Sequence, residues 1–138
     1  MRAFLLSLIV LTLLSCGKDN SSRIPEVFVN YQVTIQEFDI KKNADGIMLV
    51  NGHGVAGLMI IKTPSNNYIA FDRCSSVEPE KRCVVVPESS FTATDPCSGA
   101  KYSLLDGSPA KAPATRGLKQ YQVNLTNFQI MVSNNYGN

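Results

Sequence analysis

The chain has no tryptophan and one histidine, and only 17% of its 138 residues are charged. Each scarcity argues against a class of function. Without tryptophan the commonest stacking platform for sugars is missing, which argues against a glycan binder. An enzyme built on an activated nucleophile needs a general base beside it. The one histidine, His53, sits in the turn Asn51-Gly52-His53-Gly54 with no evident partner. Ser98-Gly99 and Gly52-x-Gly54 lack the strand–turn–helix surroundings that would make either a nucleophile elbow or a phosphate loop. No enzymatic activity is expected. The formal charge is +2, with no basic block or basic helix. Electrostatic docking to phosphates therefore has little to act on, and nucleic acid is not expected as a partner. No helical stripe follows the N-terminal apolar run, and no internal repeat is visible.

What is present begins at the N-terminus. Arg2 precedes the apolar run Phe4 to Leu14, the layout of a secretory signal. The run is too short to cross ~30 Å of hydrocarbon. It ends in Leu13-Leu14-Ser15-Cys16, which resembles a bacterial lipobox. That resemblance implies cleavage before Cys16, acylation of its thiol and amino group, and firm attachment to a membrane through several acyl chains. Residues 1–15 then form a lipoprotein signal peptide, 16–23 a lipidated flexible tether, and 24–138 a folded domain. Lys18-Asp19 in the tether resembles the charged export signal of some Bacteroidota surface lipoproteins. Loss of residues 1–15 leaves 123 residues and, with Arg2 gone, a charge of +1. The expected location is the outer membrane, lipid-anchored, facing the periplasm or the cell surface.

From Ile24 the texture is that of strands. Val27, Val29, Tyr31, Val33 and Ile35 alternate with Phe28, Asn30, Gln32, Thr34 and Gln36, a period of two that predicts a half-buried strand. Asn43 to Gly46, Asn51 to Gly54 and Pro64 to Asn67 read as turns. They bracket short strands at Ile47–Val50, Val55–Thr63 and Tyr68–Asp72. Further strands are predicted at Arg82–Val86, Phe91–Thr94, Tyr102–Leu105, Lys119–Leu125 and Phe128–Val132, with a Pro- and Ala-rich crossing loop over Ser108–Gly117. Phe91, Tyr102, Tyr121 and Phe128 are the expected aromatic core, and His53 an exposed turn residue. The pattern predicts an all-β fold, an antiparallel sandwich or barrel.

Three cysteines remain once Cys16 carries lipid: Cys74, Cys83 and Cys97. In an oxidising compartment the simplest arithmetic is one disulfide and one free thiol. Three thiols with Asp95 or His53 could hold zinc. The separations of nine and fourteen residues are not the C-x₂₋₄-C spacing of structural zinc sites, so no metal is expected.

The stretch Phe71 to Tyr121 adds a resemblance. It carries FDRC, then DPCSG, then KYSLLDG, then APATRGLKQY, in that order. This resembles the cluster-binding subdomain of Rieske 2Fe–2S proteins, with a C-x-H box, a C-P-x-H-G box, an aromatic D-G turn and a proline-containing run. The likeness covers about Ile47 to Val132 and implies a base of antiparallel sheets with a small inserted subdomain. Cys74 falls at the first cysteine ligand. Ser76 and Ser98 fall at the two histidines, and Asp95 at the second cysteine. A Rieske centre needs two cysteines and two histidines, so the likeness implies a member that has lost its cluster and binds no cofactor. It also implies a disulfide between Cys83 and Cys97, with Cys74 to Cys97 as the rival pairing. The charged loop holding Arg73, Glu78, Glu80, Lys81 and Arg82 stands where a Rieske protein meets partners. Two roles follow as expectations. One is an accessory or structural subunit docked on an outer-membrane protein. The other is an electron-transfer protein with a cluster or another metal at a rebuilt site.

Overall fold

A computed structural model describes residues 23–134. The expected signal peptide and the lipidated Cys16 lie outside the described residues. Among the described residues, ten strands form two antiparallel sheets. β1 (Asn30–Thr34), β2 (Ile47–Val50), β3 (Leu58–Lys62), β4 (Tyr68–Asp72), β9 (Gln120–Leu125) and β10 (Gln129–Ser133) make a six-stranded sheet in the order β1-β10-β9-β4-β3-β2. β5 (Val86–Pro87), β6 (Thr92–Thr94), β7 (Lys101–Ser103) and β8 (Pro109–Lys111) make a four-stranded sheet in chain order. β4 and β9 pair directly, Ala70 opposite Tyr121 and Phe71 opposite Gln120. Everything between them is thus an insertion whose two ends leave the large sheet side by side.

Two apolar cores share that sheet. β3 is the run Leu-Met-Ile-Ile because both of its faces are covered. Leu58 and Ile60 enter one core with Val33, Phe38, Tyr121, Ile130 and Val132. Met59 and Ile61 enter the other with Phe71, Val85, Ala93, Tyr102 and Leu104. Tyr68 and Ala70 of β4 face the first core and Phe71 the second. Each fully buried large side chain contributes roughly 1.5–3 kcal/mol through removal from water.

The strand expected to run to Gln36 stops at Thr34. A helix, α1 (Ile35–Lys41), follows it and corrects the all-strand reading of this region. Thr34 caps it, its Oγ1 accepting the Glu37 N–H at 3.0 Å, which satisfies a donor that the first turn leaves free. Glu37 and Lys41 pair one turn apart at 2.6 Å. Phe38 is the buried residue of the helix and meets Tyr68 edge-on at 5.0 Å. With seven residues and one buried position, α1 is too short to leave a periodic stripe.

Other expectations shift in register. Val55 and Ala56 lie in a turn and β3 starts only at Leu58, and the crossing loop contributes β8. Phe91 and Phe128 are exposed, not core, at 58% and 78%, whereas Tyr102 and Tyr121 are buried. Both phenylalanines flank turns, at a strand start and a hairpin end, where the chain leaves the covered face. His53 is half-buried, its ring 4.9 Å from Tyr31. This contact brings the turn after β2 against β1, the opposite edge of the same sheet.

Two glycines are required by close approach. A Cβ on Gly54 would stand 2.4 Å from Asp72 Oδ2, and one on Gly107 would stand 2.7 Å from Phe71 Cε1. Both have positive φ, +70° and +78°, which glycine adopts without penalty. The Asp106-Gly107 turn thereby lies flat on the aromatic ring that joins the insertion to the large sheet.

Candidate functional site

The insertion's tip is built from three loops: residues 73–85 after β4, residues 95–99 between β6 and β7, and residues 112–119 before β9. A buried aspartate organises the first loop where it leaves the sheet. Asp72 Oδ1 accepts the N–H of Cys74 at 2.8 Å and of Ala56 at 3.1 Å. Its Oδ2 accepts the Val55 N–H at 2.6 Å and the Tyr121 hydroxyl at 2.7 Å. Burial, with the Asp72 carboxylate as hydrogen-bond partner and neighbouring charge, pushes the Tyr121 phenol well above its ordinary range. Tyr121 therefore remains a proton donor.

A second buried aspartate organises the tip itself. Asp95 Oδ2 accepts the hydroxyls of Ser75 and Ser98, both at 2.6 Å, and Oδ1 accepts the Cys97 N–H at 2.8 Å. Burial alone would raise this carboxyl. The hydroxyl and amide donors outweigh it and hold the group below its ordinary range, because they bind the charged form. Tyr102 closes the network from below. Its hydroxyl lies 3.1 Å from Ser75 Oγ and 3.0 Å from Ser76 Oγ, and accepts the Ser76 N–H at 3.2 Å. Ser76 Oγ also donates to the Arg116 carbonyl at 2.7 Å, tying the first loop to the third.

Cys83 and Cys97 are joined by a disulfide with Cα atoms 6.3 Å apart. Cys74 is free and buried. Its Sγ lies 3.6 Å from the carbonyls of Ser75 and Pro79. Burial, then the nearby Asp72 charge, pushes the thiol up to about 11. Among the described residues, one group of three metal-ligating side chains converges: Cys83, Asp95 and Cys97, with their donor atoms within 4.8 Å of one another. His53 is not part of it.

The four positions singled out in sequence, Cys74, Ser76, Asp95 and Ser98, thus come together at one tip. Ser75 and Tyr102 are the members that sequence reasoning missed in this role. Tyr102 reads as a core aromatic, and nothing local marks its hydroxyl as the hub. The valine run also divides. Val85 is buried, while Val84 and Val86 are exposed on either side of it, because the segment is extended and alternate side chains face opposite ways. In the charged loop, Pro79–Lys81 form one 3-10 turn and Glu78 pairs with Lys81. Arg73 Nε donates to the Val85 carbonyl at 3.3 Å, so that side chain braces the loop from inside.

No protein-family model matches the chain, and a search of the curated proteins finds no match. Solved structures do resemble it. The cyanobacterial plasma membrane Rieske protein PetC3 from Synechocystis PCC 6803 superposes with a TM-score of 0.54 at 22% identity. That match covers 78% of this chain and 98% of the other. The ferredoxin of carbazole 1,9a-dioxygenase from Nocardioides aromaticivorans IC177 gives 0.50 at 18% identity, covering 79% and 99%. At such identities the likeness is one of fold.

A Rieske cluster is held by two thiolates and two imidazoles, and the residues here do not fit that group. Cys74 offers one thiol, buried and held protonated. Asp95, Ser76 and Ser98 offer hard oxygen donors, poorly matched to an iron–sulfide core. Those oxygens are already engaged with Ser75, Tyr102, Cys97 and Arg116. The chain has a Rieske-like all-β fold whose tip carries a hydrogen-bonded network and a disulfide rather than a set of cluster ligands.

Proposed function

We propose that this protein is a cluster-less Rieske-like lipoprotein that serves as an accessory or structural subunit at the outer membrane. The observation that carries the reading is the internal engagement of the ligand positions. Ser76, Asp95 and Ser98 are each hydrogen-bonded within the tip, to Tyr102 and the Arg116 carbonyl, to Ser75 and Ser98, and to Asp95 respectively. A tip stabilised this way can present a fixed shape without a redox centre. The surface offered to a partner is the 77–86 segment, which carries exposed Val84 and Val86 and the Glu78–Lys81 pair. Apolar residues rimmed by charge suit a protein–protein contact. Lipid on Cys16 supplies the membrane attachment, and the partner is an outer-membrane protein. No catalytic chemistry is assigned.

The fold shared with a Rieske protein and a ferredoxin favours a second reading, electron transfer at a rebuilt metal site. Native purification separates the two. The accessory reading expects a colourless protein that co-purifies with a membrane protein and is lost from that complex on Val84→Asp with Val86→Asp. A brown protein with bound iron supports electron transfer instead. Cys16→Ser should release the protein from membranes, and continued partition at the wild-type level would contradict the lipid anchor.

A further inference from the structure

The convergence of Cys83, Asp95 and Cys97 has a use that does not depend on the docking role. In the oxidised chain both sulfurs are spent on each other. We propose that reduction of the Cys83–Cys97 disulfide turns the tip into a binding site for one thiophilic divalent cation such as Zn²⁺, held by the two thiolates and the Asp95 carboxylate. Two thiolates select borderline and soft metals, and the carboxylate is an accepted third ligand for zinc.

The geometry already suits three-point binding. A tetrahedral ion with Zn–S bonds of about 2.3 Å holds two sulfurs roughly 3.8 Å apart. In the oxidised chain the two sulfurs are bonded to each other, and a carboxylate oxygen of Asp95 lies within 4.8 Å of both, so the third donor already stands beside the pair. The cysteine Cα atoms, 6.3 Å apart, stand toward the wide end of disulfide separations, about 4.4–6.8 Å. The sulfurs can then part by side-chain rotation, with little demand on the backbone. Asp95 is oriented in advance by Ser75, Ser98 and the Cys97 N–H, the kind of outer-shell support that fixes a metal-binding carboxylate. Cys97 is an exposed residue, while Cys83 and Asp95 are buried, so a reductant would approach from the Cys97 side. A fourth position stays open for water.

The chemistry balances with a dithiol as reductant, a small molecule or a thioredoxin-like protein. Its two sulfurs join as a disulfide. Two electrons and two protons pass to Cys83 and Cys97, and the S–S bond between them breaks. Binding of M²⁺ then releases those two protons as the thiols become thiolates. Before metal arrives, a carboxylate beside two thiols disfavours their ionisation, and a cation removes that repulsion. Reduction alone would weaken the tip. Reduction with metal would re-staple it.

The test uses the full chain carrying Cys16→Ser, which removes the one cysteine outside the described residues. Co²⁺ is titrated into the oxidised and the dithiol-reduced protein, and sulfur-to-cobalt charge-transfer absorbance is followed. The reduced chain should bind one Co²⁺, displaceable by Zn²⁺, and the oxidised chain should show none of this absorbance. Cys83→Ser and Cys97→Ser should each abolish the band. Asp95→Asn should weaken binding at least tenfold. Cys74→Ala should leave it intact. Bound Zn²⁺ should also slow alkylation of Cys83 and Cys97 at least tenfold. A reduced chain that takes up no Co²⁺, folded or not, overturns the proposal. So does a charge-transfer band that survives Cys97→Ser or appears equally in the oxidised chain.

Discussion

The six-stranded sheet and the insertion meet along β3 and β4, and from that shared wall they are held by different means. On the sheet side the core is aliphatic and aromatic: Leu58, Ile60, Phe38, Ile130 and Val132 with Tyr121. Its strands are four to six residues long, and Asp72 ties the exit of β4 to the Gly54 turn. On the insertion side the strands are two or three residues long. Its core is completed by small residues such as Ala93, Ala100 and Ala114. What the short strands do not supply comes from Asp95, Tyr102 and one disulfide. A long-strand core depends on burial. A short-strand tip depends on a few polar atoms in the right places, each with several partners. Loss of any one should therefore be felt locally and out of proportion to its size.

The largest expected effect breaks the wall itself. Phe71 lies on the large sheet, faces the insertion and carries the Gly107 turn. Phe71→Ala should cost about 3–5 kcal/mol, as large-to-small core changes do. Chemical denaturation should show both regions losing stability together. Loss confined to the insertion would mean the wall is not shared.

Next comes the staple. Replacing Cys83 and Cys97 with alanine removes a cross-link across 14 residues, worth about 3 kcal/mol on the chain-entropy view. Hydrogen exchange should rise over residues 74–100 and spare the β9–β10 hairpin. Uniform loss of protection would show that tip and sheet unfold as one unit.

Tyr102→Phe sharpens the comparison at the level of a single atom. The ring stays in the core, but the Ser76 N–H loses its acceptor, while the Ser75 and Ser76 hydroxyls lose one contact each and keep Asp95 and the Arg116 carbonyl. The cost should be about 1–3 kcal/mol, the range for stranding buried polar groups. Tyr121→Phe on the sheet side strands a single carboxylate oxygen that retains the Val55 N–H, and should cost less. Equal losses in the two variants would remove the distinction drawn between them.

Much of the sheet was legible in sequence, for physical reasons. β2, β4 and the β9–β10 hairpin carry apolar strands bounded by turn residues, and both signals are local. α1 was not legible, because Thr34 prolongs the alternation of β1 while also acting as a helix cap. β8 was hidden in a stretch whose composition reads as loop. At the tip, the four ligand positions were found through the resemblance. The hub Tyr102 was not, since a buried aromatic carries no mark showing that its hydroxyl has three contacts from a loop 26 and 27 residues away. Phe91 and Phe128 misled for the converse reason: hydrophobicity alone does not tell which face of a short strand is covered.

Acid gives a smaller effect. Asp95 is held below its ordinary range in the folded tip. Its contribution is therefore present above the unfolded carboxyl value, about 3.9, and lost as pH falls through the lower folded value. The thermal midpoint should drop between pH 5 and pH 2, and Asp95→Asn should flatten that part of the profile. An unchanged slope in the variant would assign the acid sensitivity elsewhere. The smallest effect is kinetic. With the Cys74 thiol pushed from 9.0 to about 11, its thiolate near neutral pH is about a hundredfold scarcer than in an unperturbed thiol, and alkylation should be slowed at least that much. Rapid labelling of the native protein would show that Cys74 is reached.

The central claim is that the tip holds itself together without iron, and anaerobic reconstitution tests it most directly. The reduced, folded chain is incubated with ferrous iron and sulfide, desalted, and assayed for iron, sulfide and visible absorbance. The account predicts no acid-labile sulfide and no cluster spectrum, because Ser76, Asp95 and Ser98 cannot replace two imidazoles and a thiolate. Two irons and two sulfides per chain, with the absorbance of a 2Fe–2S centre, would contradict it.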